Sequence, residues 1–347
     1  MSARHKVVFV DAPPAMANSM EIEQSYWEDL DVELVVADPP CRTEADILAV
    51  AHDADVILFA GQYTPFNETV FAGLEKCLHV QRYGIGMDSV DPVAATRHDI
   101  IVGNVADFCV REVADHAAAL IYGISRQIGL CDRILHDGDW GEAYSRMLPL
   151  RRMSQQILGL IGFGRIGRQV ALRMRPGMDK VVAYDPFAAA EAAAELDVEL
   201  WDLESLLEAA DYVSVHTPLM PSTRHLISRR QLIKMKRTAY LINTSRGGVL
   251  KEDDLIWALQ EGRIAGAALD VFDTEPVARH NPLRKMDNVL LTPHIAGRSL
   301  QSMLEVRHTV GHTVANVLRG HWPPHVFNAD VTPRRELAPA PDWEPPI

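Results

Sequence analysis

Five short apolar runs recur in the first third of the chain: KVVFVDA (6–12), VELVVAD (32–38), DVILFA (55–60), HVQRYG (79–84) and IIVGNV (100–105). They are rich in β-branched residues, and the stretches between them are long enough for crossover helices, which predicts a parallel sheet. From 112 to 135 the period changes. Val113, Ala117, Leu120, Ile121, Ile124, Ile128, Cys131 and Leu135 share one helical face and predict one long helix. Six more runs follow, QQILGLIGFG (155–164), KVVAYDP (180–186), DYVSVHTP (211–218), AYLINTS (239–245), GAALDVF (266–272) and NVLLTPHIA (288–296), and then a helical pattern over 300–319. The final stretch, VTPRRELAPAPDWEPPI, is proline-rich and polar and reads as a disordered or surface-draped tail.

Six strands alternating with helices are what a doubly wound dinucleotide-binding sheet requires. The expected fold is therefore two-domain α/β. Residues 111–304 form a Rossmann nucleotide-binding domain, residues 1–110 and 305–330 a discontinuous, flavodoxin-like substrate domain, and 331–347 the tail. The division follows from the phosphate loop, which the second series contains and the first lacks.

Composition narrows the function. With 48% hydrophobic residues the chain can bury a core, and its formal net charge of -13 argues against broad contact with nucleic acid or an anionic membrane. No run approaches the roughly 20 apolar residues of a membrane span, and the N-terminal apolar run is too short for a signal peptide, so a cytoplasmic location is expected. The four cysteines have no paired spacing, which points to neither a disulfide framework nor a metal site.

GFGRIG (162–167) ends an apolar strand and opens the helix RIGRQVALRM. In that setting Gly162 permits the tight turn, Gly164 admits the pyrophosphate and Gly167 lets helix pack on strand, while the helix N-terminus offers free N–H groups. Ile161, Arg165 and Ile166 complete the expected cofactor contacts of this turn. Asp185 ends the next strand, where a carboxylate accepts from the adenosine ribose and repels a 2′-phosphate, favouring NAD over NADP. A turn residue before Pro186 is the lesser alternative.

In a doubly wound sheet the ligand lies off the carboxyl ends of the strands. Those ends carry Thr217 and Pro218, then Arg246, then Asp270 with Glu275 nearby, then His294. Hydride transfer to a keto acid needs a fixed cation for the carboxylate and an acid for the developing alkoxide. Arg246, on the small-residue turn NTSRGG, supplies the planar fork, His294 the reversible proton, and Glu275 the charge that favours the imidazolium. Each alone reads as a surface cation, a loop histidine or a turn residue. Their joint appearance at successive strand ends points to catalysis.

The chain resembles the D-isomer-specific 2-hydroxyacid dehydrogenase family from about residue 79 to 320, through GIGMDSVD, REVADHAAAL, GFGRIG, NTSRGGVLKEDDLIWALQEGRIAGAALDVFDTEP and PHIAG. The resemblance implies that Arg246 binds the substrate carboxylate and carbonyl, that Glu275 partners His294, and that His294 is the proton donor and acceptor. It also implies that backbone N–H groups of Ile85 and Gly86 grip the carboxylate. Thr217, Pro218, Thr223, Thr244, Ser245, Asp270 and Gly297 would line the cofactor. RYGIGMD and NVADFCVREVAD look nearest to the C-terminal-binding-protein and phosphoglycerate-dehydrogenase-like branch, in which Arg82 matches an arginine facing the substrate. The chain departs from the C-terminal-binding-protein pattern at Gly297, which stands where that pattern has tryptophan.

The expectation from these readings is an NAD-dependent oxidoreductase that reversibly reduces a small 2-keto acid to the D-2-hydroxy acid, with Arg82, Tyr83, Ile85 and Gly86 on the substrate side. The alternative is an NAD(H)-sensing, corepressor-like scaffold on the same fold. Formate oxidation is disfavoured by Glu275, since the formate enzymes resemble this family with glutamine there. The apolar helix at 112–135 suggests a homodimer through the nucleotide domain, although burial inside one domain would also account for it.

Overall fold

The computed structural model describes residues 4–138, 140–147 and 149–346. The chain divides into two compact units, Met1–Phe108 with Ser299–Ile347, and Cys109–Arg298.

In the first unit all five runs form strands: β1 (His5–Phe9), β2 (Val32–Val36), β3 (Val56–Phe59), β4 (His79–Arg82) and β5 (Ile101–Gly103). They pair in parallel in the order β2-β1-β3-β4-β5, the flavodoxin-like order. Neighbouring residues point to opposite faces. Val8 packs with Ile57, Phe59 and Val80 on one side, Val7 and Phe9 with Val56 and Leu58 on the other. Because both faces are covered, β3 is buried at every position and reads as an unbroken apolar run.

The second face is closed by the helix Leu300–Arg319 through Val306, Val310, Val314 and Val317, which share one helical face. Ser299 caps this helix, accepting the Ser302 N–H at 2.9 Å, and Gly320 ends it at φ +87. The capped helix is thus part of the first unit from its first turn, whereas the sequence pattern placed the chain's return at 305. The proline-rich tail is laid on the same unit. Trp343 stacks on His312 with ring centroids 4.1 Å apart, and Arg334 Nη1 donates to the Leu74 carbonyl at 3.0 Å.

The second unit holds a seven-stranded parallel sheet of order β12-β11-β10-β9-β6-β7-β8. Its strands are β6 (Ile157–Ile161), β7 (Lys180–Tyr184), β8 (Glu199–Leu200), β9 (Tyr212–Val215), β10 (Tyr240–Asn243), β11 (Gly266–Leu269) and β12 (Val289–Leu291). This is the doubly wound Rossmann order with one strand added at the edge. Two-residue β8 escaped the sequence reading because it is too short to carry a period. Apolar clusters cover both faces, one around Val213, Leu241 and Leu269, the other around Leu160, Ile242 and Ala268.

The single helix expected over 112–135 is two, Val110–Ser125 and Ile128–His136. Gln127 takes a left-handed conformation, φ +52, between them. The apolar stripe continues across the break, so spacing alone could not register it.

Candidate active site

GFGRIG forms the turn between β6 and the helix Arg165–Met174. Gly162 has φ +95, and a Cβ there would lie 2.8 Å from the His216 carbonyl carbon. A Cβ on Gly167 would come within 2.3 Å of the Gly162 carbonyl oxygen. Both positions therefore demand glycine. Gly164 differs, since a Cβ there meets nothing within 4 Å and the turn keeps an open face beside the helix N-terminus.

Asp185, just after β7, accepts the Phe163 N–H at 2.8 Å on one carboxylate oxygen and the Phe187 N–H at 2.8 Å on the other. The second contact is the turn geometry before Pro186, and the first ties the acid to the glycine loop. Each oxygen retains a lone pair for a ribose hydroxyl.

After β9, His216 shares a 2.9 Å hydrogen bond between Nε2 and Ser214 Oγ, and burial holds its imidazole down to about 4. Thr217 and Pro218 follow, and Thr223 Oγ1 folds back to donate to the Pro218 carbonyl at 2.6 Å. Thr244 Oγ1 is buried with no hydrogen-bond partner among the described residues. An open glycine turn, a carboxylate at the neighbouring strand end and an orphaned hydroxyl fit a dinucleotide.

After β10, Asn243 orders the turn that carries Arg246. Its Oδ1 accepts from Ser245 N at 3.0 Å and Ser245 Oγ at 2.7 Å, while its Nδ2 donates to the Arg246 carbonyl at 2.9 Å. After β11, Asp270 is wholly buried, and Glu275 Oε1 accepts the Phe272 N–H at 3.0 Å. His294, on the loop after β12, has φ +52 and places Nδ1 2.8 Å from Glu275 Oε2. A carboxylate on Nδ1 fixes the orientation of the ring.

Of the residues named from sequence, Glu275 and His294 are therefore in contact, and Asp270 holds the His294 loop. Asn243 was missed. Asn243 had a legible signal, an Asx-forming residue inside a turn of small residues.

The expected substrate residues lie in the first unit. Arg82 ends β4, donates to the Gly61 carbonyl and sets its guanidinium 5.0 Å from the Phe59 ring. Tyr83 stacks on Phe9 with centroids 4.9 Å apart and donates its hydroxyl to Glu23 at 3.2 Å, so its side chain serves the core of that unit. The Ile85 carbonyl accepts from Asn104 Nδ2 at 2.7 Å, bracing the turn that also carries Gly86. Met87, the residue after that turn, is buried in the apolar cluster.

A seven-stranded sheet with this turn and an imidazole–carboxylate pair at its carboxyl edge belongs to the dinucleotide-dependent oxidoreductases. Residues 118–296 match the model of the D-isomer specific 2-hydroxyacid dehydrogenase NAD-binding domain. A glyoxylate reductase of Korarchaeum cryptofilum is 38% identical over 77% of this chain and 81% of its own length. A D-3-phosphoglycerate dehydrogenase of Methanocaldococcus jannaschii is 36% identical over 85% of this chain, which spans only 56% of that relative. The structure of a D-lactate dehydrogenase from Aquifex aeolicus, complexed with NAD and lactic acid, superposes with a TM-score of 0.77. It is 25% identical and is matched over 90% of this chain and 96% of that one. The chain belongs to the D-isomer-specific 2-hydroxyacid dehydrogenase family. It is an NAD-dependent oxidoreductase that interconverts 2-keto acids and D-2-hydroxy acids.

Proposed function

We propose that the protein reduces a small 2-keto acid such as glyoxylate, the substrate its glyoxylate reductase relatives are named for, with Arg246 as substrate anchor, His294 as proton donor and Glu275 as its partner. The observation that carries this reading is the 2.8 Å contact between Glu275 Oε2 and His294 Nδ1. When bound, the dinucleotide supplies the hydride. Arg246 orients the substrate carboxylate through its planar fork, and His294 Nε2 delivers a proton to the carbonyl oxygen. In the oxidative direction the same nitrogen removes the hydroxyl proton. Cys109–Arg298 binds NAD, using Ile161, Gly162, Gly164, Arg165, Ile166, Gly167, Asp185, Thr217, Pro218, Thr223, Thr244, Ser245, Asp270 and Gly297. The unit Met1–Phe108 with Ser299–Ile347 holds the substrate through Arg82 and the Tyr83 to Gly86 backbone.

The active form is a cytoplasmic homodimer. Exposed apolar side chains concentrate on neighbouring helices of the second unit: Tyr122, Ile128, Leu135, Trp140 and Tyr144 are 41–77% exposed, a surface suited to a second copy. No helix among the described residues is long and apolar enough to cross a membrane.

The test is a panel of 2-keto acids with NADH, run on wild type and His294→Ala. Turnover in wild type should fall by about 10² or more in the variant, with NADH affinity retained. Full activity in His294→Ala, or inert wild type across the panel, rejects the reading.

A further inference from the structure

We propose that His116 and Thr292 are positioning residues for His294, acting through Asp270; the proposal rests on the role given to His294 above. Asp270 follows β11, Thr292 follows β12, and His116 projects from the helix Val110–Ser125. Thr292 has one hydroxyl proton, and it goes to Asp270 Oδ1 at 2.6 Å. The 2.9 Å contact of the same hydroxyl with His116 Nε2 is therefore a donation from the ring, which carries its proton on Nε2. The neutral ring and the imidazolium both satisfy that requirement.

The other end of this chain of hydrogen bonds is the loop that presents His294. Asp270 Oδ1 accepts the Ile295 N–H at 3.0 Å, Oδ2 accepts the Ala296 N–H at 2.9 Å, and the Asp270 carbonyl accepts the His294 N–H at 2.8 Å. Three consecutive amides converge on one residue because His294 is left-handed, a conformation that turns successive N–H groups toward a common side. That conformation is uncommon for a residue with a side chain, and those bonds help to hold it. Asp270 is wholly buried, so its orientation is set by its donors, and Thr292 with His116 fixes the oxygen facing the helix. The imidazole of His294 thus stands where a helix residue far away in the chain places it.

His116→Leu and Thr292→Val remove a donor each, while His116→Gln keeps an N–H at the reach of Nε2 and Thr292→Ser keeps the hydroxyl. Amide hydrogen exchange of Ile295 and Ala296, measured without cofactor or substrate, should quicken by about tenfold in the Leu and Val variants. Their kcat for glyoxylate reduction should fall by about tenfold, with KM and NADH affinity altered by less than about threefold. The Gln and Ser variants should restore both readouts. Unchanged exchange at these two amides overturns the proposal. So does faster exchange spread through the whole unit with kcat per folded molecule preserved, and so does failure of both Gln and Ser to restore. Full turnover in His294→Ala would defeat the role of His294 instead, and the exchange measurement still decides whether the chain of bonds holds the loop.

Discussion

At the scale of single residues, the candidate site was legible wherever chemistry coincides with a strand end. Arg246, Glu275 and His294 each follow an apolar run, and their side-chain types suffice to suggest a reaction. The supports were illegible for a physical reason: His116 and Thr292 meet across 176 positions of sequence, and nothing local to either marks the other. The roles separate under mutation. Arg246→Lys keeps a charge but loses the bidentate fork, so the KM for keto acid should rise by about tenfold or more with a fall in kcat, measured by steady-state kinetics. Asp185 has two expected roles, and the structure displays the contacts of the turn and of the glycine loop together. Asp185→Ser should therefore weaken NADH binding and narrow the preference for NADH over NADPH, as read by fluorescence titration with both cofactors.

Among elements, strand order and helix faces were the most readable features and boundaries the least. β3 announced itself as VILF because both its faces are covered, whereas β8 has too few residues to show a period. The break at Gln127 leaves the apolar stripe intact and divides one expected helix into two. That region also carries the proposed dimer surface. Leu135, 48% exposed on Ile128–His136, is a direct probe. Wild type should sediment as a dimer, and Leu135→Glu should weaken association by about tenfold or more through burial of an unpaired charge, checked by velocity runs across a concentration series. The glycine turn offers a cleaner contrast. Gly167→Ala must push against the Gly162 carbonyl and should lower the melting temperature, whereas Gly164→Ala meets no neighbour and should act mainly on cofactor affinity.

For the whole molecule, the two-unit plan followed from which strand series carries the phosphate turn, while the sequence pattern could not show that the tail packs on the first unit. Two buried histidines weaken the molecule in acid. Burial lowers His79 in the first unit and His216 in the second to about 4 from an ordinary 6.5. In that interval the unfolded chain binds protons that the native one refuses. Stability is therefore fully present above about pH 6.5 and falls as pH drops toward 4, by ~3 kcal/mol for each histidine. Urea midpoints across that range should show the decline, and His216→Asn should remove about half of it, leaving the share of His79. The discontinuity of the first unit has a consequence for biosynthesis. Val7, Phe9, Val56 and Leu58 need Val306, Val310, Val314 and Val317 to cover them, and all of Cys109–Arg298 is translated in between. The ribosome delivers the second unit whole while the earlier sheet still shows an oily face. Nascent chains arrested near residue 298 should thus bind ribosome-associated chaperones through residues 5–59, and release of the last helix should end that interaction.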